Sequence, residues 1–221
     1  MRPKIPMAIT HLVVAALAVI ATACGGTAPG ARPDEMSAAE HDRAAHDHET
    51  MSQSHEQQYD PAARATGTAV DVTGLEGAGT TYNPTDGHRD EAVQHHRYAQ
   101  EHAAAAQELR RFDQAECHGI PADTRVTCPL LGGVASVEDI DGGVRLHLAA
   151  GTSGAAMLEQ LRCHFAFARS RGYDGMPECP LYLRGLDVRA GANGTIEIVT
   201  GDAATVERLR ARAHAHITGG S

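Results

Sequence analysis

Fourteen histidines and five cysteines are the side chains of this 221-residue chain with the most chemistry to offer. His41, His46, His48 and His55 lie in a polar stretch among Asp42, Asp47, Glu49, Glu56, Met36 and Met51. Neutral imidazole is a ligand for copper, zinc and nickel ions, and a polar segment can gather two or three imidazoles and a carboxylate around one ion. These four histidines are therefore the candidate metal ligands, at an affinity lowered by the free energy of ordering the chain around the ion. The competing reading is a solvated spacer, in which His and Asp only keep the chain polar.

A second set, His88, His95 and His102, repeats every seven residues, with His96 beside it. Seven residues of helix rise about 10.5 Å, too far for two of these side chains to share an ion directly. Metal-binding helices use ligands at i and i+4, and Glu91 with His95 is the one such pair, so this helix offers a half-site or simply a polar face.

Cys117, Cys128, Cys163 and Cys179 lack the C-x-x-C spacing of zinc and redox motifs. In an exported protein, four cysteines suit two disulfides, which can connect in three ways. Local pairing, Cys117–Cys128 and Cys163–Cys179, closes a short loop at a helix end in each case and is the expectation. No G-x-S-x-G, H-E-x-x-H, P-loop or G-x-G-x-x-G motif occurs, so a binding protein rather than an enzyme is expected.

These side chains need elements to position them. From 24 to 85 the chain is rich in Gly, Ala, Pro, Thr, Asp, Glu and His and nearly empty of large apolar residues, which predicts a disordered, His-rich tether. Pro84-Thr85-Asp86 then starts a long helix over 86–118, with a stripe of Ala92, Ala99, Ala103, Ala106, Leu109 and Phe112. Small residues in such a stripe imply close packing.

Residues 130–217 read as a duplicated ββα unit. Val134 to Glu138 and Val144 to Leu148 alternate around Asp141-Gly142-Gly143, and a helix runs from Ala155 to Arg171. Leu186 to Arg189, the turn Ala192-Asn193-Gly194, Thr195 to Thr200 and a helix from Ala203 repeat the order. One ββα unit cannot cover its own apolar face, so two should pair. The expected fold is α+β, a ββαββα two-layer sandwich on a four-stranded antiparallel sheet, and residues 86–221 form one domain. In the first helix of the sandwich, Leu158, Leu161, Phe165 and Ala168 should face the sheet, while Ala156, Cys163 and Phe167 should meet the long helix.

Location is written in the first residues. Arg2 and Lys4 precede the apolar run Leu12 to Ala21, and Ala21-Thr22-Ala23-Cys24 is followed by two glycines. These are the parts of a signal peptide, residues 1–23, and the run is too short to span a bilayer comfortably. Small residues before a Cys resemble the lipobox of bacterial lipoproteins, although Ala21 stands where that family usually carries Leu. The resemblance implies that Cys24 is the lipidated first residue of the mature chain. Farther on, His95-His96, Ala115-Glu116-Cys117, Arg162-Cys163-His164 and Cys179-Pro180-Leu181 resemble uncharacterised bacterial lipoproteins, which implies location and no assigned activity. The partner expected is thus the membrane, through a lipid anchor in the cell envelope on the periplasmic or outer-membrane side.

The net charge is −9, and loss of Arg2 and Lys4 with a signal peptide makes the remainder more acidic. That balance argues against nucleic acid as a partner. The function expected is a lipid-anchored envelope protein that binds a transition metal through its His-rich segment, and the alternative is a structural or protein-interaction module of the envelope.

Overall fold

A computed structural model describes residues 36–67 and 80–218. The expected signal peptide, Cys24 and the remainder of the expected tether at 24–35 and 68–79 lie outside the described residues.

The expectation of a disordered tether over 24–85 is corrected at its centre, where Ala38–Gln58 is a helix, α1. Its start is a capping box. The Ser37 side chain accepts from the backbone N–H of Glu40 at 3.2 Å, and Glu40 Oε2 accepts from the Ser37 backbone at 2.6 Å. Reciprocal capping satisfies two of the otherwise orphaned N–H groups of the first turn. The cap does not supply an apolar face, and the one large apolar residue of α1, Met51, is exposed. What lets it fold is a partner, the long helix α2, Asp86–Glu116, against which it packs as an antiparallel hairpin.

Both helices carry the same seven-residue pattern. In α1 small residues recur at Ala38, Ala45 and Ser52, each followed three positions later by His41, His48 and His55; in α2 Ala92, Ala99 and Ala106 alternate with His88, His95 and His102. Sustained heptads lay a continuous seam along a helix. Ala38, His41 and Ser52 are buried on one side of this seam, and Ala92, Ala99 and Ala106 on the other. Small side chains allow the backbones close enough for Ser52 Oγ to donate to the carbonyl of Ala92 at 2.9 Å. Arg110 pairs with Asp42, and His96 approaches Glu49 at 3.0 Å, so charges flank the seam. The hairpin is closed by Thr85, whose Oγ1 accepts from the Asp60 N–H at 3.0 Å, and by the short ribbon of β1, Ala65–Gly67, and β2, Thr80–Tyr82.

The expected sandwich is present. Strands β3 (Val134–Ile140) and β4 (Gly143–Leu148), helix α3 (Gly154–Ser170), strands β5 (Asp187–Ala190) and β6 (Ile196–Val199), and helix α4 (Ala203–Thr218) follow in the expected order. The sheet runs β3-β4-β6-β5, antiparallel throughout. Asn193 and Gly194 both have positive φ, 54° and 74°, at the β5–β6 turn, a conformation that Asn and Gly tolerate.

One face of the sheet is apolar. Val144, Leu146, Val188, Ile196 and Ile198 meet Met157, Leu161 and Ala168 of α3 and Leu209 and Ala213 of α4 in a single core. Leu161 and Leu209, at matching positions of the two repeats, are both fully buried. The other face is a charge ladder in which Glu197 receives Arg145 at 2.9 Å and Arg189 at 3.1 Å, while Arg145 also reaches Glu138.

Helix α3 lies between sheet and α2, as its two apolar sides suggested. The large aromatic residues are less enclosed than expected. Phe165 is half-buried beside Tyr173, and Phe167 is half-buried with the guanidinium of Arg171 over its ring at 4.4 Å. Close contact between α2 and α3 is made instead through a disulfide, Cys117–Cys163. The local pairings Cys117–Cys128 and Cys163–Cys179 are therefore corrected. Cys117 ends α2 and Cys163 sits on the α3 face turned toward it, so the bridge joins packed helices rather than closing a short loop.

Candidate functional site

The heptads place three histidines of each helix on one seam, and antiparallel packing brings them into register. His41 meets His102 with Nδ1 atoms 2.9 Å apart, His48 meets His95 at 3.0 Å, and His55 meets His88 at 3.2 Å. The three layers also stack on one another. Along the file His41, His102, His48, His95, His55, His88, consecutive ring centroids lie 5.1 to 5.6 Å apart. From His41 to His55 this file follows four turns of helix, about 21 Å.

Three of the four histidines expected to be ligands are thus brought together, and His46 is not. His46 falls on the exposed side of α1, five residues after His41. The residues missing from the sequence-based ligand set are His88, His95 and His102. Their spacing rules out sharing an ion along one helix, but each finds its partner across the seam. Glu91 does not form a half-site with His95. Its carboxylate lies 3.0 Å from His55 Nδ1 and 3.6 Å from His88 Nδ1, making a His-His-Glu cluster at the end of the file.

The geometry suits a shared ion. With metal–nitrogen bonds of about 2.0–2.1 Å, nitrogens separated by 2.9 to 3.2 Å subtend an angle of about 90–100° at the metal. That is nearer the right angle of tetragonal copper(II) or nickel(II) than the tetrahedral angle of zinc(II). Without an ion, each Nδ1 pair is a hydrogen bond between one protonated and one unprotonated nitrogen, so the imidazoles are satisfied as neutral rings. Burial lowers the pKa of His102, and its neighbours His41 and His48 push it the same way, because a charged imidazolium there would be poorly solvated beside other histidines.

A second cluster lies in the sandwich, where Cys128, His164 and Cys179 converge and are all buried. The two sulfurs are 3.0 Å apart as free thiols, and His164 Nε2 is 3.4 Å from Cys179 Sγ. His164 Nδ1 is 2.9 Å from the carbonyl oxygen of Arg125 and donates to it, which leaves Nε2 as the lone-pair side facing the sulfurs. The hydrogen bond from Cys179 draws the Cys128 thiol down to about 4, with His164 assisting against the opposing effect of burial, and the proton left on Cys179 is correspondingly hard to remove. The Cys163-His164 dipeptide is suggestive of a ligand but common by chance, and its meaning depends on what the fold sets opposite it.

His147 projects from the outer sheet face toward Glu138, 3.1 Å away, as its alternation with Leu146 and Leu148 suggested. Among the described residues no helix is long and apolar enough to cross a membrane. No protein-family model matches the chain, and neither a curated protein nor a solved structure matches it.

Proposed function

We propose that this is an exported, lipid-anchored envelope protein that binds transition-metal ions between two helices, with His41–His102, His48–His95 and His55–His88 as three successive ligand pairs. The observation that supports this most directly is the coincidence of two histidine heptads in antiparallel register. A polar helix face has no need to aim three imidazoles at three others with nitrogens about 3 Å apart. Copper(II) or nickel(II) fits the near-right angle best, and Glu91 adds an anionic ligand at the His55–His88 end. Here metal binds a preorganised surface, so less ordering entropy opposes binding than in a flexible tether. The non-catalytic reading rests on the sequence, which carries no G-x-S-x-G, H-E-x-x-H, P-loop or G-x-G-x-x-G motif.

Export and anchoring rest on Arg2, Lys4, the apolar run to Ala21 and the small residues before Cys24. Lipid on Cys24 would hold the helical hairpin near the membrane. Cys24→Ala should release the protein from the membrane fraction or block its processing, and a mature soluble chain with a free N-terminal thiol would defeat the anchor.

Equilibrium dialysis of the full mature chain against Cu(II), Ni(II) and Zn(II) tests the metal reading. The wild type should bind more than one ion, His41→Ala/His48→Ala/His55→Ala should lose these sites, and His46→Ala should keep them. Binding no tighter than that of free imidazole, or unchanged in the triple variant, would sink it. The second reading, a structural module of the envelope, draws on the Nδ1 hydrogen bonds that satisfy each imidazole pair without any ion, and the same titration separates the two.

A further inference from the structure

The sandwich contains a site unrelated to the histidine file. Cys128 follows the turn after α2, Cys179 lies in the loop between α3 and β5, and His164 projects from α3, so three separate segments deliver two sulfurs and one imidazole nitrogen to one buried point. Their ligand atoms lie within 4.8 Å of one another, and a further imidazole lies outside that group. His216, in the last turn of α4, has a buried Nε2 with no hydrogen-bond partner among the described residues. It is close enough to act electrostatically on the Cys128 sulfur. A buried imidazole nitrogen without a partner is costly unless something occupies it.

We propose that Cys128, His164 and Cys179 form a zinc(II) site that ties α3 and two loops together, its fourth position filled by His216 of α4 as it is drawn in by the ion. Two thiolates and two neutral imidazoles around a divalent ion leave no net charge, which suits a buried position, and Cys₂His₂ is a closed tetrahedral donor set typical of structural zinc. His164 already has the outer hydrogen bond that such ligands need, Nδ1–H to the Arg125 carbonyl, fixing Nε2 toward the sulfurs. On binding, the thiol protons leave to solvent and both sulfurs bind as thiolates. With zinc–sulfur bonds of about 2.3 Å the sulfurs of a tetrahedral site lie about 3.8 Å apart, so the present 3.0 Å opens by less than an ångström.

A Cys128–Cys179 disulfide is the competing product, since the sulfurs would have to close by about the same amount. A disulfide would leave the buried Nε2 of His216 without a partner. An entry path exists as well, because Cys128 and His164 line an open cleft of about 510 Å³ with Asp123, Arg125, Gln160 and Met157. The donor set is softer than the histidine file, so the two sites should sort metals, zinc to the sulfurs and copper(II) or nickel(II) to the imidazole pairs.

Cobalt(II) is the probe, added to the full mature chain prepared under anaerobic conditions without reductant. A thiolate-to-cobalt charge-transfer band and the d–d bands of tetrahedral cobalt should appear at one equivalent and be displaced by zinc(II). Both should persist in His41→Ala/His48→Ala/His55→Ala, which separates this site from the helical one. Cys128→Ser/Cys179→Ser should lose the charge-transfer band, each single Ser variant should weaken it, and His216→Gln should lower the tetrahedral d–d intensity. In the wild type, where folding is not in question, zinc(II) should block alkylation of Cys128 and Cys179 as read by mass spectrometry. Absence of the band in the wild type, its survival in Cys128→Ser/Cys179→Ser, or a Cys128–Cys179 disulfide in zinc-replete protein overturns the proposal.

Discussion

His48 of α1 and His95 of α2 face each other with Nδ1 atoms 3.0 Å apart and rings inclined by 27°, at the middle of a file of six imidazoles. The pair occupies a position where an antiparallel helical hairpin would ordinarily place two apolar side chains. His48→Leu/His95→Leu should therefore not lower the unfolding temperature of the metal-free protein, because leucine fills a seam position without a polar atom. The same variant should lose one bound ion from the stoichiometry and the stabilisation that ion gives. A large loss of metal-free stability would show that the imidazole pair serves the hairpin itself.

Acid should loosen the hairpin. The folded-state pKa of His102 is depressed by burial and by His41 and His48. The unfolded chain therefore binds this proton more readily than the folded one. Stability from His102 is fully present above its ordinary value of about 6.5 and is lost as pH falls through that value toward the folded one. Backbone amides of α1 in the metal-free protein should exchange faster at pH 5 than at pH 8 after correction for intrinsic rates. Saturating metal should oppose the change, since ions and protons compete for the same nitrogens. Exchange protection that is flat across this range would contradict the assignment.

The seam depends on small residues as much as on histidine. Ala99 is 7% exposed, between the layers of His95 and His102. Ala99→Leu should cost about 1–3 kcal/mol by overpacking. By holding the helices apart it should also weaken metal binding, although it removes no ligand. Dialysis and thermal unfolding of this one variant read both effects, whereas Val93→Leu on the exposed face of α2 should change neither.

The bridge between α2 and α3 has its own consequence. Cys117–Cys163 closes a loop of 46 residues, and loops of this length typically gain about 2–4 kcal/mol from a disulfide. Cys117→Ser/Cys163→Ser should lower stability by that order, measured by chemical denaturation. Cys117→Ser alone should leave a free thiol on Cys163 rather than shift pairing to Cys179, because Cys163 and Cys179 are directed to different sites. Mass mapping that found Cys163 joined to Cys179 would restore the local pairing expected from spacing.

Much of the sandwich was legible because it follows from local rules. Alternation in Val144 to Leu148, a turn at Asn193-Gly194 and the matching helices beginning at Ala155 and Ala203 each determine their own element, and a ββα unit with one apolar face must find a second. The long helix was legible to within two residues for the same reason. Helix α1 was not, although Ser37-Ala38-Ala39-Glu40 is a capping box and His41, His48 and His55 keep the heptad of His88, His95 and His102. Composition spoke for disorder there, since α1 has almost no apolar surface to bury by itself. Only contact with α2 turns its small residues into a seam. The ligands divide along the same line. The sequence by itself determined which side chains can bind metal and their spacing along each helix, because imidazole and thiolate chemistry belongs to the residue. The tertiary structure alone decided that Cys117 would meet Cys163, that Cys128 would meet Cys179 beside His164, and that each histidine would face its partner. Residues 33 to 61 positions apart become neighbours across the α1–α2 seam only when antiparallel packing fixes their register.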